Sequence, residues 1–325
     1  MPEWLRTQPP SGEALQLYNR TRGAVDAGAL HTVCEEARCP NLSDCWGRGT
    51  ATFMVAGQEC TRGCRFCSVK TLKAPPPLEV EEPERLADAV ERMKLDFVVI
   101  TVVDRDDLPD GGAMHYRACV DAVHRRLPET GIELLGSDLR GDLDTLTQML
   151  DGAPLSVFAH NVECVPRLDK QVRDPRASFD QSIAVLNRSR AVRPDLPTKS
   201  SIMVGLGETD AEVIEAMRRL RDAEVQIVTL GQYMAPGKPG ERFLPVDRYV
   251  HPDIFADYAE AAYGMGFKGV ASGPMVRSSF RAGVLFEAAR TGRRADQLLG
   301  ETHRREAGPR VDVPVEAVGK GFSGQ

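Results

Sequence analysis

Nowhere in the 325 residues does an apolar run approach the roughly 20 residues that cross a bilayer. The opening "MPEWLRTQPPSG" also lacks the apolar stretch of a secretory leader. These two absences lead to the expectation of a cytoplasmic protein with no membrane partner. An excess of one charge is missing too. Lys+Arg 41 against Asp+Glu 47 leaves a formal net charge of −6, which argues against whole-chain attraction to nucleic acid. No long repeat or low-complexity tract occurs. The remaining composition, 42% apolar and 27% charged, is that of an ordinary globular chain long enough to bury a substantial core.

Against that background the eight cysteines stand out. Six lie between Cys34 and Cys67 as two triplets. In a reducing cytosol, clustered cysteines bind metal more readily than they form disulfides. Cys119 and Cys164 stand alone and read as small, buried, inert thiols.

Beyond the cysteines the chain alternates short β-rich runs with amphipathic helical runs. The strand candidates are "TFMVAG" (52–57), "DFVVIT" (96–101), "IELLGS" (131–136), "LSVFAH" (155–160), "TKSSIMV" (198–204) and "QIVTLG" (226–231). A seventh, "KGVASG" (268–273), is read as closing the set. These runs are nearly all apolar, as buried parallel strands are. Leu86, Ala89, Val90 and Met93 mark a helix face within 83–94, and Val213, Met217 and Leu220 mark another. Thr209 and Glu212 have capping-box spacing at the start of the second helix. Pro75 to Pro77 form a stiff connector. Gly- and acid-rich segments follow the strand ends, among them "CTRGCRFC", "VVDRDDLPDGG", "DLRGD", "NVE", "GLGETD" and "QYMAPGK". Parallel α/β folds assemble their sites at that rim.

Cys60, Cys64 and Cys67 are spaced C-x3-C-x2-C. Three thiolates on one tight loop hold three irons of a 4Fe–4S cube and leave the fourth open. The amino and carboxylate groups of S-adenosylmethionine can chelate that iron, and reduction of the sulfonium then yields a 5′-deoxyadenosyl radical. Gly63 is expected to relax the turn, and Phe66 to limit solvent. A zinc knuckle is the alternative. Zinc motifs pair cysteines as C-x2-C with a second pair downstream, which only Cys64 and Cys67 match, and no histidine follows at finger spacing. The spacing resembles the signature of the radical S-adenosylmethionine superfamily, whose fold is a full or partial βα barrel. That implies here an α/β fold: a partial (βα)6 TIM-type barrel over 51–273. Residues 1–50 would be an N-terminal extension carrying the other triplet. Residues 274–325 would be a C-terminal extension ending in a flexible tail.

Cys34, Cys39 and Cys45 are spaced C-x4-C-x5-C, a poor zinc pattern that matches no standard ferredoxin run. Beside a radical site it suggests a second cluster close to substrate. With "HTVCEEARCPNLSDCWGRGTATFM" read whole, the chain resembles the lipoyl synthase family. The resemblance extends through "PEWLR", "VDRDDLPDGG", "FAHNVECVPRL", "SSIMVGLGET", "TLGQYMAP" and "VRSSF".

The resemblance implies an auxiliary 4Fe–4S cluster on Cys34, Cys39 and Cys45, with Ser279 of Arg277-Ser278-Ser279 as fourth ligand. Without it, a serine there reads as a helix N-cap or a loop hydroxyl. It also implies a sulfurtransferase that inserts two sulfur atoms, at carbons 6 and 8, into an octanoyl chain amide-linked to a carrier lysine. The auxiliary cluster is the sulfur donor, and two S-adenosylmethionine molecules are used per product. Asp104, Asn161, Glu163 and Arg173 become candidates to position S-adenosylmethionine, and "GLGET" to bring backbone N–H groups to it. Arg277 and Arg281 become candidates to face an acidic carrier.

The implied partners are lipoyl carrier domains of 2-oxoacid dehydrogenase E2 subunits and the glycine cleavage H protein. An electron donor such as flavodoxin or ferredoxin and an iron–sulfur cluster carrier complete the set; the chain itself is expected to be monomeric. Departures from the family pattern are Phe280 and Arg281 for Tyr and His, Ala159 and Cys164 for Asn and Thr, and Val102 for Ser. They bear on substrate contacts rather than on the reaction. A biotin-synthase-like enzyme and a cluster-bearing scaffold are the rival readings.

Overall fold

The computed structural model describes residues 2–6, 9–48, 50–238 and 241–298. Its centre is one sheet of eight strands in chain order. They are β1 (His31–Thr32), β2 (Thr52–Val55), β3 (Phe97–Val102), β4 (Gly131–Leu135), β5 (Val157–Ala159), β6 (Thr198–Val204), β7 (Ile227–Gln232) and β8 (Gly269–Gly273). The last seven pair in parallel; β1 lies antiparallel to β2 at one edge. All seven expected strands form. The seventh, β8, is the last of the set: it pairs with β7 and forms the far edge of an open sheet.

Helices α1 (Gly12–Ala27) and α2 (Leu42–Gly47) precede the parallel sheet. Then come α3 (Glu82–Met93), α4 (Ala113–Arg126), α5 (Leu143–Leu150), α6 (Phe179–Val192), α7 (Asp210–Asp222), α8 (Pro252–Gly264) and α9 (Ala282–Thr291). The predicted faces are buried: Leu86, Ala89 and Val90 on α3, and Val213, Met217 and Leu220 on α7. The Thr209–Glu212 capping box is present in both directions.

Alternation along each strand sorts residues onto two sides of the sheet. Val98, Ile100, Ile132 and Leu134 face out, into a core shared with α3 and α4. Ile202, Val204, Val228 and Leu230 face out under α7 and α8. The other set faces inward, and there α9 lies, touching β3, β7 and β8. β3 is third in the sheet and β8 is last, so one ten-residue helix reaches both only because the sheet curls into a partial barrel. Leu285, Ala288 and Ala289 pack on Val157, Ile227 and Ala271, with Phe97 and Phe286 at 5.8 Å between ring centres. The C-terminal segment therefore plugs the barrel. Farther up the interior, Lys199 Nζ donates to both Glu133 carboxylate oxygens at 2.8 and 2.9 Å, with both side chains buried.

Candidate functional site

Strand β2 ends in two residues of left-handed backbone, Ala56 (φ 71°) and Gly57 (φ 97°). The Glu82 carboxylate holds the turn: it accepts the Ala56 N–H at 2.8 Å and meets His115 Nε2 at 2.5 Å. The chain then enters the second cysteine loop, whose stem is a short parallel ribbon of Glu59–Cys60 and Lys70–Thr71.

Two sulfurs of this loop accept a backbone N–H. Arg62 donates to Cys60 at 3.4 Å and Asp174 donates to Cys64 at 3.3 Å, while the Val69 backbone lies beside Cys67. The loop is pinned from across the barrel. Asp174 Oδ2 accepts the Gly63 N–H at 2.9 Å, and Arg242 donates to the carbonyls of Cys64, Cys67 and Val69 at 3.3, 2.7 and 3.1 Å. The turn needs no positive φ at Gly63, contrary to expectation; its backbone N–H is what the structure uses. Phe66 packs into the outer core beneath α7 and α8.

Burial pushes all three thiols up, Cys64 to about 12, and Asp104 adds to the effect at each. Left alone they are thiols; a bound cation is needed to hold them as thiolates. Four ligands around one zinc would bring sulfurs to about 3.8 Å of each other. Among the described residues, the trio of Cys, His or acidic ligand atoms all within 4.8 Å is Glu82, His115 and Cys119. The cysteine triplets are more open than that, as the corners of a multi-iron group require. The Glu82–His115 pair is already satisfied by its own hydrogen bonds.

Beside Cys64 a cavity of about 150 Å³ opens at the C-terminal ends of the strands. Asp104, Asn161, Glu163 and Arg173, all named from sequence, line it together. Asp104 accepts from Ser137 Oγ at 2.8 Å and lies 3.8 Å from Cys60 Sγ. Asn161 Nδ2 donates to Glu163 Oε1 at 3.0 Å, leaving its buried Oδ1 without a partner. Glu163 sits at φ 68°, a strained conformation for a side chain of its size. Burial raises its carboxyl, opposed by Arg173 and Asn161. Arg173 donates to Val162 O at 3.3 Å and Ser182 Oγ at 3.0 Å. An orphaned buried acceptor beside a strained carboxylate is a cradle for a polar ligand with donors. A larger hollow, about 570 Å³, lies at the opposite, N-terminal ends of β3 and β4 and contains no thiol.

Sequence reasoning does not single out Arg62, Ser137, Asp138 or His160, which also line the cavity. Arg62 donates to both oxygens of Asp106 (3.0 and 2.8 Å) and of Asp138 (2.7 and 2.6 Å). Asp138 stands in "DLRGD", visible as a polar strand end, but nothing local says that Arg62 reaches it. His160 is buried, with Nδ1 2.9 Å from Gly136 O and Nε2 3.0 Å from Ser182 Oγ. The "GLGET" expectation is corrected. The Gly205 and Leu206 N–H groups already donate to the Glu208 carboxylate at 2.7 and 2.8 Å, so the turn caps itself.

The first triplet gathers beside the start of β2, where Cys34 and Trp46 share a small core with Ala51, flanked by Cys45 and Tyr18. Burial pushes Cys34 up to about 11 and Cys45 to about 12, and neighbouring thiols add to both. The C-terminal segment meets this triplet. Asn41 Nδ2 donates to Met275 O at 2.5 Å, and the Arg277 guanidinium lies beside Cys39 and Cys45. Arg281 lies near Cys45. Arg277 thus faces the thiols and is not spread on the surface for a carrier. Ser279 lies on the turn between these two arginines, half-buried, and its hydroxyl has no hydrogen-bond partner among the described residues. Cys119 and Cys164 are buried, as expected of inert thiols.

Residues 54–220 match the Radical SAM superfamily. The chain is 52% identical to lipoyl synthase of Halorhodospira halophila over 90% of this chain and 85% of that one. It is 50% identical to lipoyl synthase of an Anaeromyxobacter species, over 95% and 98%. Against mitochondrial lipoyl synthase of Bos taurus it is 50% identical, over 88% and 76%. The crystal structure of methylornithine synthase shares the fold, with a TM-score of 0.52 at 15% identity over 78% of this chain and 69% of that one.

Proposed function

Since this chain belongs to the lipoyl synthase family, we propose that its two cysteine triplets and the cavity beside Cys64 divide one reaction between them. The enzyme inserts two sulfur atoms, at carbons 6 and 8, into an octanoyl chain carried on a lysine of a lipoyl carrier protein. When bound, a 4Fe–4S cluster with S-adenosylmethionine supplies the 5′-deoxyadenosyl radical, used twice per product, and an auxiliary 4Fe–4S cluster supplies sulfur.

Cys60, Cys64 and Cys67 are the ligands of the first of these clusters, and Cys34, Cys39, Cys45 and Ser279 those of the auxiliary one. The free Ser279 hydroxyl, set between two arginines that face the triplet, supports its place as fourth ligand. Asp104, Asn161, Glu163 and Arg173 bind and orient S-adenosylmethionine. Asn161 Oδ1 and Glu163 accept from its amino or hydroxyl groups, and Arg173 faces its carboxylate. Phe66, Val102 and Leu135 give the cavity its apolar wall and keep water away from a radical. The convergence of those four polar residues beside Cys64, with one acceptor left orphaned, carries the reading.

The segment 51–273 is the barrel proper. Residues 1–50 are the N-terminal extension that carries the auxiliary triplet, and 274–325 are the C-terminal extension that carries Arg277-Ser278-Ser279, of which 299–325 lie outside the described residues. The carriers are 2-oxoacid dehydrogenase E2 subunits and the glycine cleavage H protein. A flavodoxin or ferredoxin supplies electrons, and an iron–sulfur carrier rebuilds the auxiliary site. The enzyme works as a cytoplasmic monomer, without nucleic acid or membrane. Among the described residues no helix is long and apolar enough to cross a membrane.

Anaerobic reconstitution with iron and sulfide tests the whole. Two clusters per chain are expected, with S-adenosylmethionine cleavage coupled to sulfur insertion into an octanoyl-lysine peptide. Ser279→Ala is expected to lose sulfur insertion while still cleaving S-adenosylmethionine. Full two-sulfur insertion by that variant removes Ser279 from the ligand set, and zinc in place of iron sinks the proposal.

A further inference from the structure

Trp46 is 1% exposed, and its indole Nε1–H has no hydrogen-bond partner, whether oxygen, nitrogen or sulfur, among the described residues. Buried donors are met almost without exception, so this one asks for an explanation. The ring is fixed. Its backbone carbonyl accepts from Thr21 Oγ1 at 3.2 Å, and the Tyr18 ring lies 5.5 Å away. The ring shares its small buried core with Cys34, whose sulfur also lies against Thr52.

An indole only donates. A neutral thiol is a poor acceptor for it, whereas a thiolate takes a charge-assisted bond. The pocket around Cys34 is thus complete only when that sulfur carries charge, as a metal-bound thiolate does. Cys39 has the Arg277 guanidinium beside it, itself held by Val276 O at 2.6 Å and Met234 Sδ at 3.1 Å. The second triplet is built otherwise, with backbone N–H groups on the Cys60 and Cys64 sulfurs.

We propose that Trp46 and Arg277 are positioning residues of the auxiliary site. Their side-chain N–H groups donate to the Cys34 and Cys39 thiolates, raising the reduction potential of the cluster those thiolates hold and slowing its loss. Hydrogen bonds to cysteinyl sulfur withdraw electron density and favour the more negative, reduced state of an iron–sulfur cluster. The inference rests on the ligand assignment given above for the first triplet.

The test uses the full chain with Cys60, Cys64 and Cys67 all changed to alanine, so that only the auxiliary site can load. The midpoint potential is read by redox titration followed by electron paramagnetic resonance, and iron loss is timed against a chelator. Trp46→Phe and Arg277→Gln are each expected to move the midpoint to more negative potential and speed iron loss several-fold. Arg277→Lys, which keeps a cationic donor, should recover part of both. If phenylalanine disturbs the fold, 3-benzothienylalanine at position 46 keeps the bicyclic ring and removes only the N–H. A parent that loads no 4Fe–4S cluster overturns the ligand assignment and this inference with it. A loaded parent whose potential and iron loss ignore the Trp46 N–H overturns this inference alone.

Discussion

Gly231 and Val276 meet backbone to backbone: a methyl group on Gly231 would stand 2.1 Å from the Val276 carbonyl oxygen. The inner face of β7 thereby seats the segment that carries Arg277 and Ser279. Gly231→Ala must push that segment away, since neither partner is a flexible side-chain tip. The variant is expected to retain the cluster at Cys60, Cys64 and Cys67 and to lose about half its total iron. Iron analysis, with the Cys34 triplet replaced by alanine as a reference, checks this; full iron in both sites would refute it.

Arg62 binds two carboxylates in the barrel mouth, and removing it strands both. Arg62→Leu is expected to cost about 3–5 kcal/mol of stability, as loss of one partner from a buried ion pair does. Urea unfolding of the metal-free protein measures it. Burial alone would raise Asp138, but the Arg62 hydrogen bonds hold it below the usual carboxylate value. Its contribution is therefore present above the unfolded carboxylate pKa, near pH 4, and lost as pH falls through the folded value. The leucine variant should have lost that acid-side slope.

His160 responds to acid earlier. Burial drives its pKa down from 6.5 to about 4, against the pull of Asp138 and the Gly136 carbonyl. The unfolded chain takes up this proton first, so stability falls as pH drops from about 6.5 to about 4 and levels off below. The loss from this one group is about 3 kcal/mol. A His160→Asn variant should show a flatter profile across that window in a pH series of urea midpoints, even if its stability at neutral pH is lower.

Glu163 combines a strained backbone with a carboxylate at the cavity wall. Glu163→Gln keeps the shape and removes the charge. Binding of S-adenosylmethionine to the cluster-loaded protein is expected to weaken about tenfold to a hundredfold, the range for losing a charged hydrogen bond. Equilibrium dialysis reads this directly, and unchanged binding would place Glu163 outside the ligand contacts.

Much of this site was legible because its parts are short-range. "CTRGCRFC" is contiguous, and the seven apolar runs needed no tertiary information to be read as strands. Thr209 and Glu212 could be paired because a capping box spans only three residues. What stayed hidden is long-range. Arg62 and Asp138 lie 76 positions apart, and no local pattern joins them. The two-residue strand β1 is too brief to show alternation. The plugging role of α9 depends on which face of a curled sheet is vacant. "GLGET" misled for a different reason, because the acid that consumes its N–H groups lies within the motif itself.

The join between Asn41 and Met275 closes a loop of 234 positions. A ribosome adding about 5–20 residues per second needs on the order of 10–50 s to make that interval. Throughout it the first three cysteines have already been synthesised, while Arg277 and its turn do not yet exist. Closure of the wall around the N-terminal triplet is therefore a late event in the making of each chain. A chain cut short before residue 275 keeps every cysteine and still lacks the wall that faces them.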